Sequence, residues 1–216
     1  MSRSRNKGKS RAWSQRQERD RYVREARSKG FRARSVFKLD EVDRKYSLIP
    51  PSCRIVDLGA APGSWCEYAA SRISGDGRVV GVDMLEMKPI AGVETILGDF
   101  TDPGVQKRIL ERFEGQRLDL VLSDMSPNIT GIRIIDQAKA EQLQMSILEF
   151  CRDALRSGGS VLTKLFKGGS MVDIRAQYVR DFRRVHMIKP AAFRSESREV
   201  YLLACGYELA PERGGD

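Results

Sequence analysis

The chain has 216 residues, is 41% hydrophobic and 31% charged, and carries a formal net charge of +9, which suits one soluble domain with a real core. It has no apolar run near the roughly 18 residues of a membrane helix, and its basic N-terminus lacks the apolar stretch of a secretory signal, so a cytoplasmic protein is expected. Four scattered cysteines and a single histidine argue against a disulfide framework, a zinc cluster or other metal site, and a Ser-His-Asp triad.

Residues 1–38 hold 14 Lys and Arg against three acids, whereas the rest of the chain is slightly acidic. The basic excess therefore lies in an N-terminal arm, taken as residues 1–35. Its opening segment, 1–12, is Ser-rich, apolar-poor and expected to be disordered in isolation. Such a footprint fits a polyanion, most simply nucleic acid, better than a solubilising tail or a membrane surface. Trp13, Tyr22 and Phe31 are placed either to stack on bases or to pack the arm onto the body.

Residues 36–209 form the main domain, with 210–216 a short tail. Val36, Leu39, Val42 and Leu48 give a helical spacing that ends before Pro50-Pro51. Short apolar runs at 54–59, 78–83, 93–97 and 118–122 read as buried strands. Helical patterns fall between them at 63–73 and at 103–113, the latter with Asp102 as N-cap. A long helix is predicted from Ile135 to Leu155, stopped by Gly158-Gly159. A strand follows at 160–166, then a helix at 172–182 and strands at 185–188 and 200–205. Alternating strands and helices predict an α/β fold with a mostly parallel sheet covered on both faces. Only Lys189 to Glu199 separate the last two strands, too few for a crossover helix, so the final strand is expected to be antiparallel.

In open parallel sheets ligands lie beyond the carboxyl ends of the strands. After the first strand comes Asp57-Leu-Gly59-Ala-Ala-Pro-Gly63-Ser-Trp65, a Gly-bearing loop opening a helix. It is neither G-x-G-x-x-G nor a phosphate-binding loop, which disfavours a dinucleotide and favours a less charged nucleoside ligand. Asp83 after the second strand has the offset of an acid that takes ribose hydroxyls, and Asp99 after the third is a candidate for an adenine edge. Asp124 and Lys164 follow the fourth and fifth strands and share the same sheet edge, where Lys164 either salt-bridges to Asp124, snorkels, or works chemically. An antiparallel last strand brings Glu199, at its start, to that edge as well.

The segments Gly30-Phe-Arg-Ala-Arg-Ser-Val-Phe-Lys38-Leu, Val56–Trp65, Leu122-Ser-Asp124-Met-Ser-Pro-Asn128, Leu162-Thr-Lys164-Leu-Phe and Ser197-Arg-Glu199-Val-Tyr201 resemble the FtsJ/RrmJ-like ribose 2'-O-methyltransferases, in the family's order and over about residues 12–207. The resemblance implies a Rossmann-like, S-adenosylmethionine-dependent methyltransferase fold with a seven-stranded sheet, 36–209 being the catalytic domain. It also implies a tetrad at Lys38, Asp124, Lys164 and Glu199, and cofactor contacts at Gly63, Trp65, Asp83, Asp99 and Asp124. Ser64 departs from the family, which often has a second glycine there. The compact domain with its basic arm looks most like members that modify a uridine of large-subunit (23S) ribosomal RNA in the assembled subunit, acting as a monomer. A transfer RNA target and a non-catalytic ribosome-assembly role are the alternatives, and a nicotinamide oxidoreductase is disfavoured by the loop.

A ribose hydroxyl holds its proton tightly and needs an acceptor and alignment. Lys164 is the expected base if neutral, or steadies the developing alkoxide if charged. Lys38 and Asp124 would orient it, and Glu199 would fix the lysines. The Ser-Pro-Asn after Met125 lacks the aromatic of amino-group methyltransferases, and no cysteine lies in a carbon-5 methylation motif. The four cysteines are expected in the core, and His186 is expected to be structural.

Overall fold

The chain is described here by a computed structural model that covers residues 21–128, 130–168, 171–192 and 197–208. Five apolar runs form parallel strands β1 (Arg54–Leu58), β2 (Arg78–Asp83), β3 (Val93–Leu97), β4 (Leu118–Ser123) and β5 (Leu155–Phe166). The last two strands, β6 (Phe182–Ile188) and β7 (Glu199–Tyr207), complete a seven-stranded sheet in the order β3-β2-β1-β4-β5-β7-β6. As expected, β7 runs antiparallel, to β5 on one side and β6 on the other.

The helices are α1 (Arg21–Ser28), α2 (Val36–Tyr46), α3 (Ser64–Arg72), α4 (Pro103–Glu111), α5 (Arg133–Ala154) and α6 (Met171–Asp181). Alternate strand residues feed two cores. Val56, Val80, Val121 and Val161 meet Ile109 of α4, Ile147 and Leu148 of α5 and Tyr178 of α6. Ile55, Val79, Leu120 and Leu162 meet Leu39 of α2 and Trp65 and Ala69 of α3. Burial on both faces explains why these strands read as continuous apolar runs and not as alternating ones. Among the described residues, no helix is long and apolar enough to cross a membrane.

Local chemistry sets several boundaries. Asp102 caps α4, accepting from the Gly104 N–H at 2.8 Å. α2 stops at Ser47, whose φ of 51° is left-handed, ahead of Pro50-Pro51. Buried Asp43 then secures the exit, accepting from Ile49 N–H at 2.8 Å, the Tyr68 hydroxyl at 2.9 Å and Arg72 Nε at 3.0 Å. The predicted stop of the long helix at Gly158-Gly159 is corrected: α5 ends at Ala154 and β5 begins at once with Leu155. The two glycines lie inside β5, where Leu118 pairs with Leu155 but Leu120 pairs with Ser160, and the left-handed φ of 79° at Gly158 takes up the extra residues as a bulge.

Residues 1–20, with Trp13, lie outside the described residues. The end of the arm packs on the body. The Tyr22 and Phe31 rings sit 5.6 and 5.9 Å from Phe37, and the Arg32 guanidinium donates to the carbonyls of Pro62, Lys88 and Pro89. Cys53, Cys66 and Cys151 are buried thiols and Cys205 is half-buried, while His186 packs its ring 5.3 Å from Tyr46.

Candidate active site

The carboxyl edge of the sheet gathers the four tetrad positions from four segments. β4 ends at Ser123, so Asp124 leaves the sheet beside β5. From β5, Lys164 places its Nζ 3.1 Å from Asp124 Oδ1 and donates to the Asp124 carbonyl at 2.6 Å. The antiparallel register sets Glu199 opposite Phe166, with its Oε1 3.7 Å from Lys164 Nζ. The first turn of α2 brings Lys38 Nζ to 3.7 Å from Asp124 Oδ2. Two lysines only 7% and 6% exposed, on facing sides of one carboxylate, are unusual, because an ammonium loses its hydration on burial. That burial holds the Lys38 pKa below its ordinary 10.5, opposed by Asp124 and then Glu199, while Lys164 and Arg34 push further down.

Sequence reasoning passes over Tyr201 as a functional group. It pairs with Lys164 across β5 and β7, and its hydroxyl donates to Asp124 Oδ1 at 2.7 Å. Its ring lies 5.6 Å from Lys38 Nζ. Burial, reinforced by the Asp124 carboxylate, pushes the phenol well above its usual range, so the hydroxyl stays a donor. The available signal was its place two residues after Glu199 on an antiparallel strand, which puts both on one face.

A cleft of about 670 Å³ opens from Asp124 along the same edge, lined by Gly59, Asp83, Asp99, Phe100 and Met125, with Lys139 of α5 opposite. Asp83 accepts from the N–H groups of Ala61 at 2.9 Å and Leu85 at 2.8 Å, so it anchors the Gly loop as well as facing the cleft. Asp99 accepts from the Thr101 N–H and hydroxyl through one oxygen, at 2.9 and 2.7 Å. Gly59 has a left-handed φ of 74°, and a Cβ there would run into Met125 Cγ. This is a close backbone approach of the kind only glycine allows.

Gly63 and Trp65 are not among the residues lining the cleft. Trp65 is buried, its indole N–H donating to the Ser35 carbonyl at 2.8 Å and its ring 5.5 Å from Tyr201. Gly63, with φ 102°, precedes α3, whose start has no side-chain cap. The neighbouring Ser64 hydroxyl is buried with no hydrogen-bond partner among the described residues. Beneath the loop, Asp57 is 1% exposed and accepts from the Cys66 thiol at 3.2 Å. Burial pushes its carboxyl up to about 7, with Asp124 and Asp83 adding to the rise.

The cleft is of ordinary small-molecule size. Three carboxylates, an apolar wall and a glycine that no side chain can replace without collision fit an adenosyl cofactor with an amino-acid tail.

The FtsJ-like methyltransferase family model matches residues 31–207. A protein of Alkalilimnicola ehrlichii named ribosomal RNA large subunit methyltransferase E is 43% identical over 97% of this chain and all of its own length. A protein of the same name from Nitrosospira multiformis is 44% identical over 91% of this chain and 96% of its own. A Plasmodium falciparum crystal structure described as a ribosomal RNA methyltransferase superposes with a TM-score of 0.74 at 27% identity, covering 82% of this chain and 98% of that one. Over residues 31–207, from just before α2 to the end of β7, the chain belongs to the FtsJ-like methyltransferase family.

Proposed function

We propose that this protein transfers a methyl group from S-adenosylmethionine to a ribose 2'-hydroxyl of large-subunit ribosomal RNA, a uridine in the assembled subunit, working as a cytoplasmic monomer. The observation that carries this reading is the convergence of Lys38, Asp124, Lys164 and Glu199 at the end of an acid-lined cleft. The names of the relatives support ribosomal RNA as the substrate. Asp83, Asp99 and Asp124 would hold the cofactor from the cleft wall, whereas Gly63 and Trp65, at the uncapped start of α3, lie outside that lining. When bound, the cofactor supplies an electrophilic sulfonium methyl.

The chain's own work is to align the hydroxyl and take its proton. Lys164 is the group placed to take that proton as the ribose oxygen bonds to the methyl carbon and the sulfur keeps the electron pair of the broken carbon–sulfur bond. Asp124 and Glu199, 3.1 and 3.7 Å from Nζ, then hold the resulting ammonium. Lys38 and the Tyr201 hydroxyl fix the Asp124 carboxylate from two sides. The basic arm supplies phosphate contacts that give affinity and strong salt dependence but little sequence reading.

The test is transfer of tritiated methyl by purified protein to ribosomal subunits from cells lacking it, to naked ribosomal RNA and to transfer RNA. The reading expects label on the large subunit at one linkage that resists alkaline hydrolysis. Label confined to transfer RNA, or binding of the cofactor without transfer to any of the three, would contradict it.

A further inference from the structure

A glutamine inside an apolar helix face stands out. Gln144 lies on the buried side of α5 with Ile147, Leu148 and Cys151 and is 3% exposed. A buried amide is costly unless its hydrogen bonds are made. Here two of the three are made to one place, the end of β5. Its Nε2 donates to the Lys164 carbonyl at 3.0 Å. Its Oε1 accepts from the Thr163 hydroxyl at 3.1 Å and from the Tyr178 hydroxyl at 3.5 Å.

The topology explains why a side chain is wanted there. β4 follows β5 as far as the Ser123–Thr163 pair and then turns away with Asp124. From Lys164 onward, β5 keeps a strand neighbour on the β7 side only. The residue whose Nζ must reach the Asp124 carbonyl at 2.6 Å and carboxylate at 3.1 Å is therefore the first to lose its β4 partner. α5 covers that gap, and Gln144 reaches the exposed carbonyl.

We infer that Gln144 is a positioning residue for the transfer reaction: it holds the backbone of Lys164, and so the Lys164 amine, in register with Asp124. The inference rests on the proposed role of Lys164. Gln144 does not line the cofactor cleft, and its bond to the tetrad is to main chain, so its effect runs through the β5 backbone. A displacement of about 1 Å at a reacting group can cost on the order of a hundredfold in rate.

The experiment compares wild type with Gln144→Leu, Gln144→Met, Tyr178→Phe and Lys164→Met, measuring methyl transfer to large subunits below every variant's melting midpoint. Gln144→Met keeps the length and burial of the side chain, and stands in if Gln144→Leu does not fold. Both are expected to lose about tenfold or more in kcat, with KM for cofactor and for RNA within about threefold of wild type. Tyr178→Phe withdraws a hydrogen bond from the same amide without freeing the Lys164 carbonyl, and is expected to keep kcat within about twofold even where its midpoint falls. A normal kcat in the folded Gln144 variants would overturn the inference. So would a loss confined to KM, or a Tyr178→Phe loss that tracks the fall in midpoint. An active Lys164→Met would instead remove the proposed function of that lysine, whereas an inactive Lys164→Met beside an active Gln144→Met would remove only the positioning role.

Discussion

Replacing Asp57 with Asn should change how stability depends on pH. Asp57 is 1% exposed at the end of β1. Its charged form is helped by the Cys66 thiol at 3.2 Å but opposed more strongly by burial and by the carboxylates of Asp124 and Asp83. Its carboxyl is pushed from 3.8 to about 7. Between those two values the folded chain keeps a proton that the unfolded chain has released, so this group's stabilising contribution is lost as pH rises toward 7. At 1.36 kcal/mol per pH unit, the full cost above pH 7 is on the order of 4 kcal/mol. An Asn cannot ionise, and its side-chain oxygen can still accept from the thiol. The stability of Asp57→Asn relative to wild type should therefore rise by about that amount from roughly pH 4 to pH 8. Urea unfolding across this range measures the difference, and carbon-13 NMR of labelled aspartate locates the titration directly. Parallel stability curves, or an Asp57 carboxyl titrating below about 5, would refute the reasoning.

Other substitutions test other parts of the account. Asp43→Ala strands three donors, the Ile49 N–H, the Tyr68 hydroxyl and Arg72 Nε, and should cost about 3 kcal/mol or more in urea unfolding; a loss near zero would show that the α2 exit is held by packing alone. Gly59→Ala must bear a left-handed φ of 74° and a Cβ against Met125, and calorimetry should show S-adenosylmethionine affinity reduced about tenfold or more; unchanged affinity would remove the loop from the cofactor site. Tyr201→Phe keeps the ring beside Lys38 and removes the donor to Asp124, so kcat should fall roughly tenfold in a folded protein; an unchanged kcat would make that hydrogen bond structural.

The central sheet is legible because buried parallel strands leave continuous apolar runs, and because only the short span from Lys189 to Glu199 parts the last two strands. From those runs alone, Asp83, Asp99, Asp124, Lys164 and Glu199 fall at one edge, where the structure has them. The α5–β5 junction misleads because Gly158-Gly159 looks like a helix stop, whereas tertiary pairing with β4 makes it a bulge. Asp43 and Gln144 give no signal: a polar residue in a helix looks solvated until its partners on other segments are known. The resemblance implies a cofactor contact at Trp65, whose indole lies against Ser35 and Tyr201, both on segments far from it along the chain. Tyr22 and Phe31, open between base stacking and packing, pack on Phe37.

The most direct test of the account is Lys164→Met, with S-adenosylmethionine binding followed by calorimetry and methyl transfer followed on large ribosomal subunits. Lys164 makes its contacts to Asp124 and Glu199 and does not line the main cleft. Cofactor affinity is therefore expected within about threefold of wild type while transfer falls by a factor on the order of a thousand. Near-normal transfer with binding intact would contradict the assignment of Lys164 as the base that takes the ribose proton.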